Sequence, residues 1–327
     1  MRAWLIDKDE QGKPLLRLGE VETPEPGPGE IRVRVQAVGV NRADLLQVLG
    51  QYPAPPGVDP RIPGLEYTGV VDAVGPRVRL HQVGDRVMGL VPGAAYAEYV
   101  VVTEREAIPV PAGVDLVQAA ALPEDYLTAY RALYIEGGLQ PGQWALIRPA
   151  TAGVGLAAVQ LVRALGGRTI GTSRSSERLE QARARGLGVA LLDNGSPLAP
   201  RVMAVTAGEG VSVVLDMLGG GALADNLGSL REEGSLVVIG LLTGREAPLN
   251  LGQLLMRRLR IKAMTMRAQP LEERIRIARV FVDRLTPLFA TGRLTPLVSL
   301  VRDFDEAPQA HQDMAANKHF GKIVLKL

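Results

Sequence analysis

The residues best suited to hold a ligand through bare backbone are Gly153 and Gly155, in the run Ala150-Thr151-Ala152-Gly153-Val154-Gly155. Glycine lets peptide N–H groups approach a pyrophosphate closely, and the N-terminus of a following helix adds partial positive charge. Trp144-Ala145-Leu146-Ile147 precedes the turn as an apolar strand. Val154, Ala157, Ala158, Leu161, Val162 and Leu165 follow at helical spacing, and Gly166-Gly167 supplies a stop. A glycine turn alone is a weak signal. A strand before it and an amphipathic helix after it give the context that a dinucleotide site requires. Ala152, Gly153, Val154 and Gly155 are therefore the predicted pyrophosphate cradle.

Which dinucleotide is bound depends on the end of the next strand. An NAD site commonly places an acid about 20 residues past the glycines, where it accepts from the ribose 2′-hydroxyl. Here the sequence reads Thr172-Ser173-Arg174-Ser175-Ser176-Glu177-Arg178, with hydroxyls and two guanidiniums and no acid at the strand end. Ser173, Arg174 and Arg178 suit a 2′-phosphate, which Arg binds through paired charge-assisted bonds, so NADPH is expected over NADH. The plainer reading is a solvated helix start with Ser175 or Ser176 as N-cap.

Other chemistries are excluded by what the chain lacks. It has no cysteine, which removes disulfides, thiolate nucleophiles, Cys-ligated zinc and iron–sulfur clusters. Its three histidines, His81, His311 and His319, fall in no common motif and read as surface or structural residues. The formal charge of +2 in 327 residues gives no basic surface for nucleic acid or an anionic membrane. After Met1 the apolar stretch ends at Asp7, and no segment approaches the roughly 18 apolar residues of a membrane span. The expectation is a soluble, cytoplasmic protein.

The elements that position these residues fall into two textures. Up to about residue 120, short strands alternate with Pro- and Gly-rich turns: Ile31–Gln36, Thr68–Val71, Arg86–Gly89 and Ala97–Val101, as in a small barrel-like β domain. Ala119 to Leu133 reads as helix. Strands then alternate with helices: Trp144–Ile147, Thr169–Thr172, Val189–Leu192, Val211–Leu215, Leu236–Ile239 and Leu259–Ala263. Most are continuous apolar runs, as expected where helices cover both faces of a doubly wound parallel sheet. A helical stretch from Leu271 to about Ala290 precedes a β-like tail, Phe320–Leu325. The expected fold is α/β: a β-rich domain over 1–120, a Rossmann domain over 121–265, and a segment over 266–327 returning to the first.

Longer pieces carry a family resemblance. They are Gly39-Val40-Asn41-Arg42-Ala43-Asp44, Gly50-Gln51-Tyr52-Pro53, Ile62-Pro63-Gly64-Leu65-Glu66, Ala119–Pro123, Leu127-Thr128-Ala129 and Asn317–Leu325. With the glycine turn, they resemble the medium-chain dehydrogenase/reductases of the zinc-independent quinone oxidoreductase (zeta-crystallin-like) branch, nearest its tumour-suppressor-inducible type, along essentially the whole chain. The resemblance implies a GroES-like β-rich domain, a Rossmann domain and a homodimer. Zinc-dependent relatives place Cys where Asn41 stands and His where Leu65 stands; Asn is a poor zinc ligand and Leu is none. Glu66 is read as a buried structural carboxylate.

By this resemblance, Asn41, Tyr52 and Thr128 line the acceptor slot, and Gly240, Leu241, Leu242 and Asn317 join the cofactor contacts. The acceptor is a quinone, or another conjugated carbonyl. The alternatives are an enal or enone reductase and a non-catalytic NADPH-binding sensor or structural protein. Two departures from the family pattern concern the cofactor end: Asp193 stands where a Tyr is common near the 2′-phosphate, and Arg148-Pro149 stands where His and a small residue are commoner.

Overall fold

The structure is a computed structural model and describes residues 1–327. The chain divides into two compact units, Met1–Glu124 with Met266–Leu327, and Asp125–Thr265.

The first unit is organised around one long strand, Glu30–Val40. Ile31, Val33 and Val35 alternate inward, and Ala37 to Val40 are all buried. One edge of this strand pairs with Glu66–Val74. The other edge pairs first with Tyr99–Thr103 and then with Lys322–Lys326 of the tail. Register shifts at Arg32/Val33 and Val35/Ala37 interrupt its pairing with Glu66–Val74. Arg86–Leu90, Ile108–Pro109 and Val298–Asp303 complete a seven-stranded sheet. Its core gathers Val33, Val35, Tyr67, Tyr96, Phe304, Ile323 and Leu325. A hairpin of Arg2–Lys8 and Pro14–Glu20, not anticipated from the sequence, packs on this core through Ala3 and Trp4. Its second strand is only half-buried, so it lacks the clean alternation that marks a strand.

The second unit is a six-stranded parallel sheet. Its spatial order is Val189–Leu192, Arg168–Ser173, Trp144–Arg148, Val211–Asp216, Leu230–Val238 and Arg260–Ala263. Strand order reverses between Trp144–Arg148 and Val211–Asp216, and open α/β sheets bind ligands at the C-terminal ends of the strands flanking such a switch.

Two expectations need correcting. The stretch Ala119 to Leu133 is helical but not as one helix: Leu116–Ala119 ends before a new helix over Pro123–Tyr130, which continues without a break as a π-helix over Arg131–Glu136. Pro123 lacks an N–H and begins a helix more readily than it continues one. The strand expected at Leu236–Ile239 runs Leu230–Val238; its first part carries the exposed Arg231, Glu232 and Glu233, so no apolar run announces it.

Candidate functional site

In the second unit, the strand Trp144–Arg148 passes through the glycine turn into the helix Gly153–Ala164. Ala152 is the N-cap, extended at φ −85° and ψ 164°, and offers no side-chain cap. The first intrahelical bond runs from the Leu156 N–H to the Ala152 carbonyl, so the N–H groups of Gly153, Val154 and Gly155 take no bond within the helix. A Cβ on Gly155 would strike the Pro149 carbonyl, and one on Gly153 the Asp125 carboxylate. A helix N-terminus whose N-cap residue brings no capping side chain, beside the sheet's switch point, fits a pyrophosphate.

Ser173 ends the next strand, buried. Its hydroxyl oxygen accepts from Thr151 Oγ1 (3.2 Å) and from the Ser175 N–H (3.2 Å). Ser175 caps the following helix by accepting from the Arg178 N–H, leaving Arg174 exposed and Arg178 half-buried on its first turn. Asp193 is bound to the same strand end through its N–H, which donates to the Ser173 carbonyl (2.8 Å). Its carboxylate meets the buried Arg148 guanidinium at 3.4 Å. Arg148 also donates to Asn226 Oδ1 (2.8 Å). The loop Gly240-Leu241-Leu242 lies beyond Leu230–Val238, tied back by the Leu242 N–H to the Met217 carbonyl. Leu241 and Leu242 are exposed, and a Cβ on Gly240 would crowd Met217. Thr128 is buried on the helix Pro123–Tyr130.

In the first unit, Asn41 closes the long strand and opens the helix Arg42–Val48. Its carboxamide is tightly held. Nδ2 donates to Glu66 Oε1 (2.9 Å) and to the Gly39 carbonyl (3.3 Å), while Oδ1 accepts from Lys322 Nζ (2.6 Å). Lys322 also pairs with Glu66 at 2.6 Å, and the second Glu66 oxygen accepts from the Glu124 N–H (2.9 Å). Glu66 is fully buried, and this carboxylate ties four segments together. Next to it, Asp44 Oδ2 accepts from the Asn41 N–H (2.8 Å) and from Tyr96 (3.1 Å), whose hydroxyl also meets His311 Nε2 at 3.2 Å. Burial pushes the Asp44 carboxyl up to about 7, against the bond from Asn41 and the charge of Lys322. Burial pulls the His311 imidazole down to about 4.

Tyr52 sits in the Pro-rich loop after this helix, half-buried. Arg267 holds it, donating to the Tyr52 carbonyl (2.8 Å) and stacking its guanidinium 5.1 Å from the ring centre. The same guanidinium donates to the Pro92 carbonyl (2.7 Å) and to Gln47 Oε1 (2.6 Å). Asn317, at φ 52°, accepts from Arg42 (2.7 Å).

Of the predicted site residues, Asn41, Tyr52 and Asn317 belong to the first unit, and Thr128, the glycine turn, Ser173, Arg174, Arg178 and the Gly240 loop to the second. Three side chains escaped the sequence reading. Lys322 carries a signal, a lone charge opening an apolar strand. Arg267 carries none, because its partners lie far away in sequence, and for Arg148 the sequence marks only an unusual residue before the turn and not its partners.

Comparison with known proteins agrees with this geometry. Residues 27–112 match the alcohol dehydrogenase GroES-like domain, and residues 153–280 match the family model described as zinc-binding dehydrogenase. A quinone oxidoreductase-like protein 2 homolog of Nematostella vectensis is 30% identical over 97% of this chain and 87% of its own. The solved quinone oxidoreductase of Pseudomonas syringae superposes with a TM-score of 0.89 at 30% identity over the whole of both chains. The JamJ enoyl reductase superposes with a TM-score of 0.87 at 26% identity, over 99% of this chain and 98% of its own. Members of this superfamily bind a nicotinamide dinucleotide. Together, the GroES-like unit, the Rossmann unit and these relatives make this chain an oxidoreductase of the zinc-independent medium-chain dehydrogenase/reductase family, of the quinone oxidoreductase type.

Proposed function

We propose that the protein is an NADPH-dependent reductase of quinones that works without a metal ion. The observation that carries this reading is the state of Asn41: its carboxamide is fixed by Lys322 and Glu66, and the neighbouring Leu65 is apolar, so the two positions offer no metal-ligating pair. The bound dinucleotide supplies a hydride, and with one proton from a donor or water a quinone becomes its hydroquinone. A quinone is electrophilic enough to take hydride unaided, provided its developing oxyanion finds a donor.

The residues divide this work. Tyr52, with ring and carbonyl fixed by Arg267, is the proposed donor to the acceptor oxygen. Asn41 has both amide hydrogens committed to Glu66 and Gly39, so it shapes the slot rather than donating to the acceptor. Thr128 lines the nicotinamide side. Gly153, Val154 and Gly155 offer their N–H groups to the pyrophosphate, with the Gly240–Leu242 loop and Asn317 as further contacts. Ser173, Arg174 and Arg178 receive the 2′-phosphate.

Two substitutions test these roles. Tyr52→Phe should lower quinone kcat/KM by about tenfold or more while leaving NADPH affinity intact; an unaltered value reduces Tyr52 to packing. Arg174→Ala should raise the NADPH Kd far more than it lowers kcat, because that contact is remote from the chemistry. The decisive assay is NADPH oxidation with a panel of quinones and 2-alkenals. Turnover of 2-alkenals orders of magnitude faster than any quinone replaces the proposed acceptor with an enal or enone, the reading favoured by the likeness to an enoyl reductase.

The protein is further proposed to form a homodimer. The last strand of the parallel sheet, Arg260–Ala263, pairs on one edge only and is exposed along its length. The adjoining helix Leu251–Met256 displays Leu251, Leu255 and Met256 to solvent. A second copy pairing edge to edge would cover both.

A further inference from the structure

We propose that Arg148 sets the coenzyme preference by neutralising Asp193, which opens the end of the strand Arg168–Ser173 to a 2′-phosphate. The inference rests on the NADPH reading above and deepens it.

Asp193 stands where an acid matters. Leu192 pairs in parallel register with Ser173, and the Asp193 N–H donates to the Ser173 carbonyl (2.8 Å), which fixes the carboxylate beside that strand end. The acid that accepts from a ribose 2′-hydroxyl ordinarily ends the strand Arg168–Ser173 itself, where none stands here; Asp193 follows the neighbouring strand yet brings a carboxylate beside that end, where its negative charge repels a 2′-phosphate. Its side chain is about one-third exposed, at 32%, so its charge reaches the position where the phosphate would lie.

Arg148 answers that charge from beneath. Its side chain is 4% exposed, and it ends the central strand at the switch point, in register with Asp216. One guanidinium nitrogen donates to Asn226 (2.8 Å) and another meets Asp193 at 3.4 Å. Asp216 accepts from the N–H groups of Leu218 (2.9 Å) and Gly219 (3.0 Å) and also feels the Arg148 charge, so Arg148 serves two carboxylates, and of these Asp193 is the one its guanidinium meets at ion-pair distance. With Asp193 cancelled, Arg174 and Arg178 of the same loop and helix act on the phosphate undiminished. The two departures from the family pattern at this end of the sheet are therefore one ion pair, in which Arg148 offsets the acid at 193.

The test measures binding of adenosine 2′,5′-bisphosphate and of 5′-AMP by calorimetry, with no turnover involved. In Arg148→Met, affinity for the bisphosphate should fall by about tenfold relative to 5′-AMP, and in the double variant Arg148→Met/Asp193→Asn it should return to within about threefold of the original ratio. Asp193→Asn alone, at a partly exposed site where folding is preserved, should tighten the bisphosphate selectively. That single variant decides the matter if Arg148→Met does not fold. A ratio unmoved by these substitutions, in a protein that prefers the bisphosphate, overturns this inference alone. If the unaltered protein binds both ligands equally, the NADPH reading fails and this inference falls with it.

Discussion

Asp44 and His311 share the Tyr96 hydroxyl, yet burial drives their protonation in opposite senses. The folded chain keeps the Asp44 proton to about pH 7, whereas the unfolded chain releases it near 3.8, so this group's stabilisation is lost as pH rises through about 7. His311 stays neutral in the folded chain down to about 4, whereas the unfolded imidazole binds a proton near 6.5, so its stabilisation is lost as pH falls. Between about 4 and 6.5 the two effects cancel. Tyr96, which burial raises well above the usual phenol range, stays neutral across that window. Denaturation midpoints should therefore show little slope from this pair, and each substitution should unmask its partner. In His311→Asn, stability falls with rising pH by about 1.4 kcal/mol per unit; in Asp44→Asn it falls by a similar amount per unit as pH drops. Parallel pH profiles in the two variants would refute this account. The sequence displays Asp44 inside a family motif and His311 as an isolated imidazole. Their shared hydroxyl is invisible there, because Tyr96 and His311 are 215 residues apart.

At the scale of elements, the loop bearing Tyr52 has no hydrogen-bonded ladder of its own and depends on a strut. Arg267 joins the carbonyls of Tyr52 and Pro92, the Gln47 side chain and the Tyr52 ring. Arg267→Met should cost about 3 kcal/mol, since buried acceptors lose charge-assisted bonds, and should lower quinone kcat/KM while leaving the NADPH Kd unchanged. A double-mutant cycle with Tyr52→Phe checks the mechanism: strictly additive effects on kcat/KM would show that Arg267 does not act through Tyr52. Element types were largely legible, because apolar runs and the glycine turn report local geometry directly. Boundaries failed where tertiary pairing overrode composition. In the Leu230–Val238 strand, Leu230 pairs with Val211 and Ser235 with Val213, and the charged Arg231, Glu232 and Glu233 fall in the register shift between them.

For the whole molecule, the open edge at Arg260–Ala263 carries the prediction about assembly. Leu255→Glu, on the exposed face of Leu251–Met256, should convert a dimer into a monomer in light scattering without lowering the thermal midpoint of the monomer, since Leu255 is 76% exposed and packs little in its own chain. An unaltered protein that runs as a monomer sinks the proposal. Ile261 offers a second variant on the strand itself; Ile261→Lys should have the same effect.

The sequence by itself determined the α/β class, the dinucleotide turn and the absence of thiol chemistry, because hydrophobic period, glycine spacing and residue inventory are local or compositional properties. It identified Asn41, Tyr52, Asp193 and Arg148 as residues without determining what each one touches. Only the tertiary structure decided that Lys322 and Glu66 clamp Asn41, that Arg267 braces Tyr52 and that Arg148 pairs with Asp193. Each is a charged contact between segments distant in the chain. Such a pairing leaves no periodic trace, because burial requires only that every charge find a partner and does not fix where in the sequence that partner lies.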